Sequence, residues 1–175
     1  MTTKKSVWVL FGILVLSAWV LGSAIQVGAE TMKFRVTTYL IHFEFIPVGD
    51  VEGHIVGTFS RRGMGSYENG DTSAFQNWGT LDMTKGKGTF QGYGKHTFED
   101  GSTTLAKLEG MVEPGPKGLS FYKGTGEYFK GTGRFEGITG SMTYTGKALT
   151  PYSKEKGLWG DVYYDITSTY TLPRK

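Results

Sequence analysis

Few side chains in this sequence could move a proton or hold a charge, and their spacing limits what each could do. Histidine occurs only at positions 42, 54 and 96, and there is no cysteine. No two of the histidines fall at an HxH or HExxH spacing, so the pattern supports no metal site. An isolated histidine on a strand more often serves as a polar partner across the sheet. His42 and Glu44 are two residues apart and point the same way if extended. Facing a barrel interior they would form a desolvated acid–base pair; facing outward they would simply be solvated. Arg61 and Arg62 lead into a glycine-rich stretch, Gly63-Met64-Gly65. A guanidinium suits the planar carboxylate of a ligand, but adjacent strand residues face opposite ways, so at most one of the two looks inward. The alternative is a solubilising loop, which charge and glycine favour. Tyr164 and Tyr170 could offer hydroxyls to a ligand, although a tyrosine bridging core and rim does the same. No nucleophile, base and orienting group come together in the sequence, so no catalytic residue is assigned.

These residues have to be positioned by strands. From Thr31 onward the apolar pattern has a period of two, and glycine interrupts every stretch long enough for a helix. The pattern predicts eight strands, over 34–46, 54–60, 72–83, 88–98, 103–112, 119–128, 135–149 and 158–172. Turn signals separate them, among them Asn69-Gly70, Lys85-Gly86 and Asp100-Gly101, whose glycines supply the positive φ of tight hairpins. Glycines inside the strands, at 92, 94, 126, 133, 137 and 140, permit the coiling and bulges by which a small sheet closes on itself. The expected fold is therefore all-β, a single eight-stranded antiparallel closed barrel, with a sandwich as the alternative.

Alternation then proposes a lining. In the first strand, Tyr39, Ile41, Phe43 and Phe45 share one face, and Val36, Leu40, His42 and Glu44 the other. The aromatic face is the expected cavity wall, which leaves His42 and Glu44 in water. In the last strand Leu158, Gly160, Val162, Tyr164, Ile166, Ser168, Tyr170 and Leu172 form the inward set.

The turn at Glu68 to Asp71, the hairpin Phe98-Glu99-Asp100-Gly101-Ser102 and above all GTGRFEGITGSMTYTGK from Gly131 to Lys147 resemble the allene oxide cyclase and dirigent type of barrel. The likeness spans roughly residues 51–172. It implies an antiparallel eight-stranded barrel, often a trimer, with a cavity for an apolar ligand. Plant members cyclise fatty-acid epoxides or orient radical coupling, and bacterial relatives include cyclases of natural-product pathways. No polar residue of this chain aligns with their catalytic positions. The phrase GTGRFEG also mimics a dinucleotide loop, but strand follows it where a helix is required, so no cofactor is expected.

Residues 1–29 read as a secretory leader: Lys4 and Lys5, an apolar run from Val7 to Gly22, then Val27-Gly28-Ala29 as a cleavage site. An uncleaved membrane anchor is the alternative, since the run approaches the length of a spanning helix. Either way the domain, residues 30–175, is expected outside the cytoplasmic membrane, periplasmic or secreted, with membrane contact only through an uncleaved leader. The net charge of +3 is partly the leader's own, and the remaining basic residues are scattered among acids, which argues against a nucleic-acid partner. Absence of cysteine excludes a disulfide framework. Three functions fit these features: a barrel holding a small apolar molecule, a cyclase or isomerase folding an apolar substrate in the same lumen, or a packed structural barrel with no ligand.

Overall fold

In the computed structural model the described residues are 28–153 and 155–174. Most of the expected leader, residues 1–27, lies outside them; β1 begins at Glu30, one residue beyond the expected cleavage site. Eight long strands close into an antiparallel barrel in the order β1-β10-β7-β6-β5-β4-β3-β2. They are β1 (Glu30–Pro47), β2 (His54–Tyr67), β3 (Thr72–Thr84), β4 (Lys87–Phe98), β5 (Thr103–Pro114), β6 (Ser120–Thr132), β7 (Thr139–Ala148) and β10 (Val162–Thr171). A short hairpin, β8 (Tyr152–Ser153) with β9 (Leu158–Trp159), sits in the connection from β7 to β10. Closure joins the first strand to the last, where Arg35 donates through Nε and Nη2 to the two carboxylate oxygens of Asp165 at 2.7 and 2.9 Å.

The alternation that built the strands also fills the bore. On β10 the residues from Val162 to Tyr170 alternate buried and less buried, with Val162, Tyr164, Ile166, Ser168 and Tyr170 inward. Many inward positions on neighbouring strands are glycine, and large rings lie over them. Gly146 on β7 sits under Tyr164, so a Cβ there would run into the ring. Gly79 and Gly92 face each other across β3 and β4, and a Cβ on either would strike a carbonyl of the other strand. Alternating large and small residues is how a narrow barrel accommodates side chains in its taper, and close approach of the strands gives the sheet its tight coil.

Three local departures from the alternation matter for the site. The β1–β2 register passes from Leu40 opposite Arg61 to His42 opposite Ser60, leaving Ile41 as an extra residue in a β-bulge. One inserted residue reverses the inward and outward sets beyond it. Phe34, Val36, Thr38 and Leu40 therefore point in below the bulge, and the phase of Phe43 and Phe45 points in above it. The shared cavity face expected for Tyr39, Ile41, Phe43 and Phe45 is split: Tyr39 and Ile41 are exposed on the outer surface. Second, β2 does not stop at Ser60; it continues through Arg61 to Tyr67, so the expected loop is strand. Gly63 and Gly65 take inward positions where the neighbouring strand and the Tyr67 and His96 side chains leave no room for a Cβ. Third, β7 starts at Thr139, because Gly133–Phe135 forms a 3-10 turn. Gly133 and Gly137 adopt positive φ there (63° and 74°), a conformation strands do not use.

Candidate functional site

The two ends of the barrel differ. At the end carrying the β2–β3, β4–β5 and β6–β7 connections, Phe34, Tyr67, Phe98, Phe135, Ile138 and Tyr170 are buried together. Arg134 lies over this plug, its guanidinium 4.8 Å from the ring of Phe98 and 5.0 Å from that of Phe135. It is tied to Asp71 and Asp100 on the two adjacent hairpins. Above the plug His96 is fully enclosed. Its Nδ1 is 2.9 Å from the Tyr67 hydroxyl and 2.8 Å from Ser73 Oγ, and burial pushes its pKa down to about 3, so it is a neutral structural imidazole. The hydroxyl of Tyr170 belongs to this closed end: it donates to Glu30 at 2.8 Å, and burial with that carboxylate pushes its pKa up to about 12.

Toward the other end the bore opens. A cavity of about 180 Å³ is lined by Leu40, Phe43, Phe59, Leu81, Phe90 and Val162 among others, and it reaches the hairpin and loop residues Gly86, Gly118 and Tyr152 at the rim. Below it lies a second void of about 40 Å³, lined by Val36, Phe75, His96 and Tyr128 among others. Asn77, Phe90 and Tyr164 line both and mark a waist between them. A larger concavity of about 1310 Å³ runs past Glu44, Asp82, Glu109 and Lys123. It is a broad open trough lined by residues of both sheet faces, and encloses a ligand far less than the bore does.

Three polar side chains interrupt the apolar wall of the upper cavity at depth. Arg61 is buried, and its Nη1 and Nη2 both donate to the carbonyl of Gly160, at 2.9 and 3.1 Å. Asn77 stands opposite Arg61 on β3; it is buried and its Oδ1 has no hydrogen-bond partner. Tyr164 is buried in ring contacts with Tyr122 and Tyr144. Desolvation raises the pKa of its hydroxyl, while the nearby Arg61 cation acts in the opposite direction. Thr38 Oγ1 is likewise buried without a partner, but it lines neither void.

The residues singled out in the sequence thus fall in four places. Arg61, Phe43 and Tyr164 meet in the upper cavity. Phe45 lies at the exposed rim, packed against Phe43 at 5.5 Å. Tyr170 is at the sealed floor, and Tyr39 and Ile41 are outside. His42 and Glu44 lie side by side in water, Nε2 to Oε2 3.9 Å, and are no interior acid–base pair. His54 bridges the rim, its ring nitrogens 2.6 Å from Asp50 Oδ1 and 2.9 Å from Asp82 Oδ1; hydrogen bonds to the two carboxylates raise its pKa. Among the described residues no three acidic or histidine side chains converge in a metal-binding group. Asn77 was not singled out, yet a signal existed: Ser73, Phe75, Asn77, Gly79, Leu81 and Met83 form the inward set of β3, and an amide there breaks an otherwise apolar or small series.

The fold and the cavity together define an all-β closed barrel with a blind, largely apolar bore. No family model and no curated relative matches the chain. Among solved structures, a conserved protein of unknown function from Rhodopseudomonas palustris superposes with a TM-score of 0.47 at 12% identity, covering 81% of this chain and 98% of that one. A nonspecific heme-binding cyclase that catalyses a 4 + 2 cycloaddition during neoabyssomicin biosynthesis superposes with a TM-score of 0.43 at 16% identity, covering 99% of this chain and 82% of its own. Neither similarity assigns an activity to this chain.

Proposed function

We propose that the barrel binds a small, predominantly apolar molecule in its upper cavity, and that it does so after export, as a periplasmic or secreted protein. The observation that carries this reading is the cavity itself, about 180 Å³ walled by Leu40, Phe43, Phe59, Leu81, Phe90 and Val162 and continuous with the rim. For scale, a dry apolar cavity of about 150 Å³ accommodates benzene. Export is supported by the position of β1, whose first residue, Glu30, directly follows the expected cleavage site; removal of the leader would leave every barrel strand whole. Native mass spectrometry of the protein purified from its own source, followed by denaturing extraction, tests the binding reading. An apolar adduct released on unfolding is the expected result. Protein that carries nothing, and takes up no neutral apolar probe after refolding, overturns it.

A cyclase or isomerase function, implied by the resemblance to allene oxide cyclase and dirigent barrels, would use the same cavity. It is favoured by the Tyr164 hydroxyl, which lies at the waist without a hydrogen-bond partner among the described residues. Turnover of an extracted ligand that Tyr164→Phe abolishes, with the fold intact, is the outcome this reading requires.

A further inference from the structure

Among the described residues, one cation in the apolar bore has no matching anion. Arg61 is inward on β2, 5% exposed. Of the five N–H groups of a guanidinium, two are engaged by Gly160, which leaves three. The described ion pairs all lie elsewhere, on Arg35, His42, His54, Lys85, Lys123 and Arg134. Among the described residues no aspartate or glutamate lines the upper cavity. Two further groups with unused hydrogen-bonding capacity share its wall. Asn77 lies directly across from Arg61, with its amide unbonded to protein. Tyr164 lies at the waist with a free hydroxyl. A buried charge is ordinarily paired, because desolvation of an ion is only offset by an opposite charge and well-placed hydrogen bonds. Here the pairing group is not supplied by the described chain.

We propose that the molecule taken up by the cavity is an apolar carboxylate, seated with its carboxylate on Arg61 and the Asn77 amide and its apolar body against the walls of the bore. The inference rests on the binding reading above and adds the head group. A guanidinium presents parallel N–H donors that match the two oxygens of a carboxylate. The Asn77 amide, whose O and N can exchange places by a flip, supplies a further donor beside them, and the Tyr164 hydroxyl another. A single cation fits a singly charged, planar head group better than a phosphate dianion, for which clusters of cations are usual. The cavity volume limits the enclosed body to about one or two fused rings, or a short branched chain, with any longer tail emerging past Tyr152.

Matched probes separate the two claims. Benzoate and 2-naphthoate are titrated calorimetrically into the protein as purified from its own source and refolded free of ligand, alongside their neutral amides, benzamide and 2-naphthamide. We expect the acids to bind at least about ten-fold more tightly than the amides, the range of a charge-assisted hydrogen bond. Arg61→Met should erase this preference, and Asn77→Leu should reduce it. Acids and amides binding wild type equally would overturn the anionic head group and leave the apolar pocket standing. Binding of neither, by protein whose circular dichroism is that of a folded β-barrel, would overturn both claims. Should Arg61→Met fail to fold, the acid-to-amide ratio of wild type decides alone, and Arg61→Lys, which keeps the charge and loses the fork, should retain part of the preference.

Discussion

Replacing Arg61 with methionine should leave the empty barrel as stable as wild type or more so, which is unusual for a buried residue with two hydrogen bonds. The balance follows from its surroundings. Burying an ion costs several kcal/mol even after relaxation, about 5 as a working figure. The two bonds to Gly160 share one neutral acceptor, so together they recover about 2 kcal/mol. Methionine keeps the unbranched stem and its contacts along the wall near Leu40, but leaves the Gly160 carbonyl short of a donor, a further cost of about 2 kcal/mol. The difference is a gain of about 1 kcal/mol, within a span from no change to about 2. For a chain of this size that corresponds to a rise of about 3 °C in Tm. Urea denaturation followed by tryptophan fluorescence, with calorimetry of the same samples, measures it, and an unchanged m-value would show that the unfolded state is not responsible. Arg134→Met is the comparison: that guanidinium has two carboxylate partners and two aromatic faces, and its loss should destabilise by about 1–2 kcal/mol. If Arg61→Met instead lost more than about 2 kcal/mol, the guanidinium would be a strut holding Gly160, and the view of it as an uncompensated charge would be refuted.

The two enclosed or bridged histidines should give stability opposite pH slopes. His96 has a folded pKa of about 3, so the unfolded chain binds its proton first, and stability should fall as pH drops from about 6.5 toward 3; His96→Leu should flatten that limb of a urea-midpoint profile. His54 has a raised folded pKa between Asp50 and Asp82, so its contribution is complete below about 6.5 and is lost as pH climbs through the folded value; Asp82→Asn should shrink that limb. Gly146→Ala should push the Tyr164 ring off the wall into the waist, destabilising by about 1–3 kcal/mol and weakening uptake of neutral probes in the same calorimetric titration. Lys85→Asn should raise stability by about 0.5 kcal/mol in a thermal melt, because Lys85 holds φ at 51° in the β3–β4 turn and asparagine tolerates that region better.

Strand number and closure were legible because they rest on many residues at once. Period-two alternation and paired glycine turns such as Asn69-Gly70 and Asp100-Gly101 leave little else for the chain to form, and the same alternation puts Tyr164 and Tyr170 inward. What stayed hidden depends on single residues. Nothing in FRVTTYLIHFEF marks Ile41 as the inserted residue, since apolar side chains occur on both faces of that segment. One bulge was therefore enough to part Tyr39 and Ile41 from Phe43. Arg61 was ambiguous because glycines 63 and 65 look like a loop, whereas a barrel uses them as inward positions without room for a side chain. The shared inward position of Tyr164 and Tyr170 could not separate the waist from the floor, because depth along the bore is set by strand stagger and not by parity.

The aromatic plug under Arg134 makes the barrel a cup, not a pipe. Among the described residues the bore opens at the end marked by Tyr152, Gly86 and Gly118, and an occupant would come and go there. Exchange is then strictly sequential: a resident molecule has to clear the threshold before its successor can be seated, and residence time is set at the brim, however well the base is built.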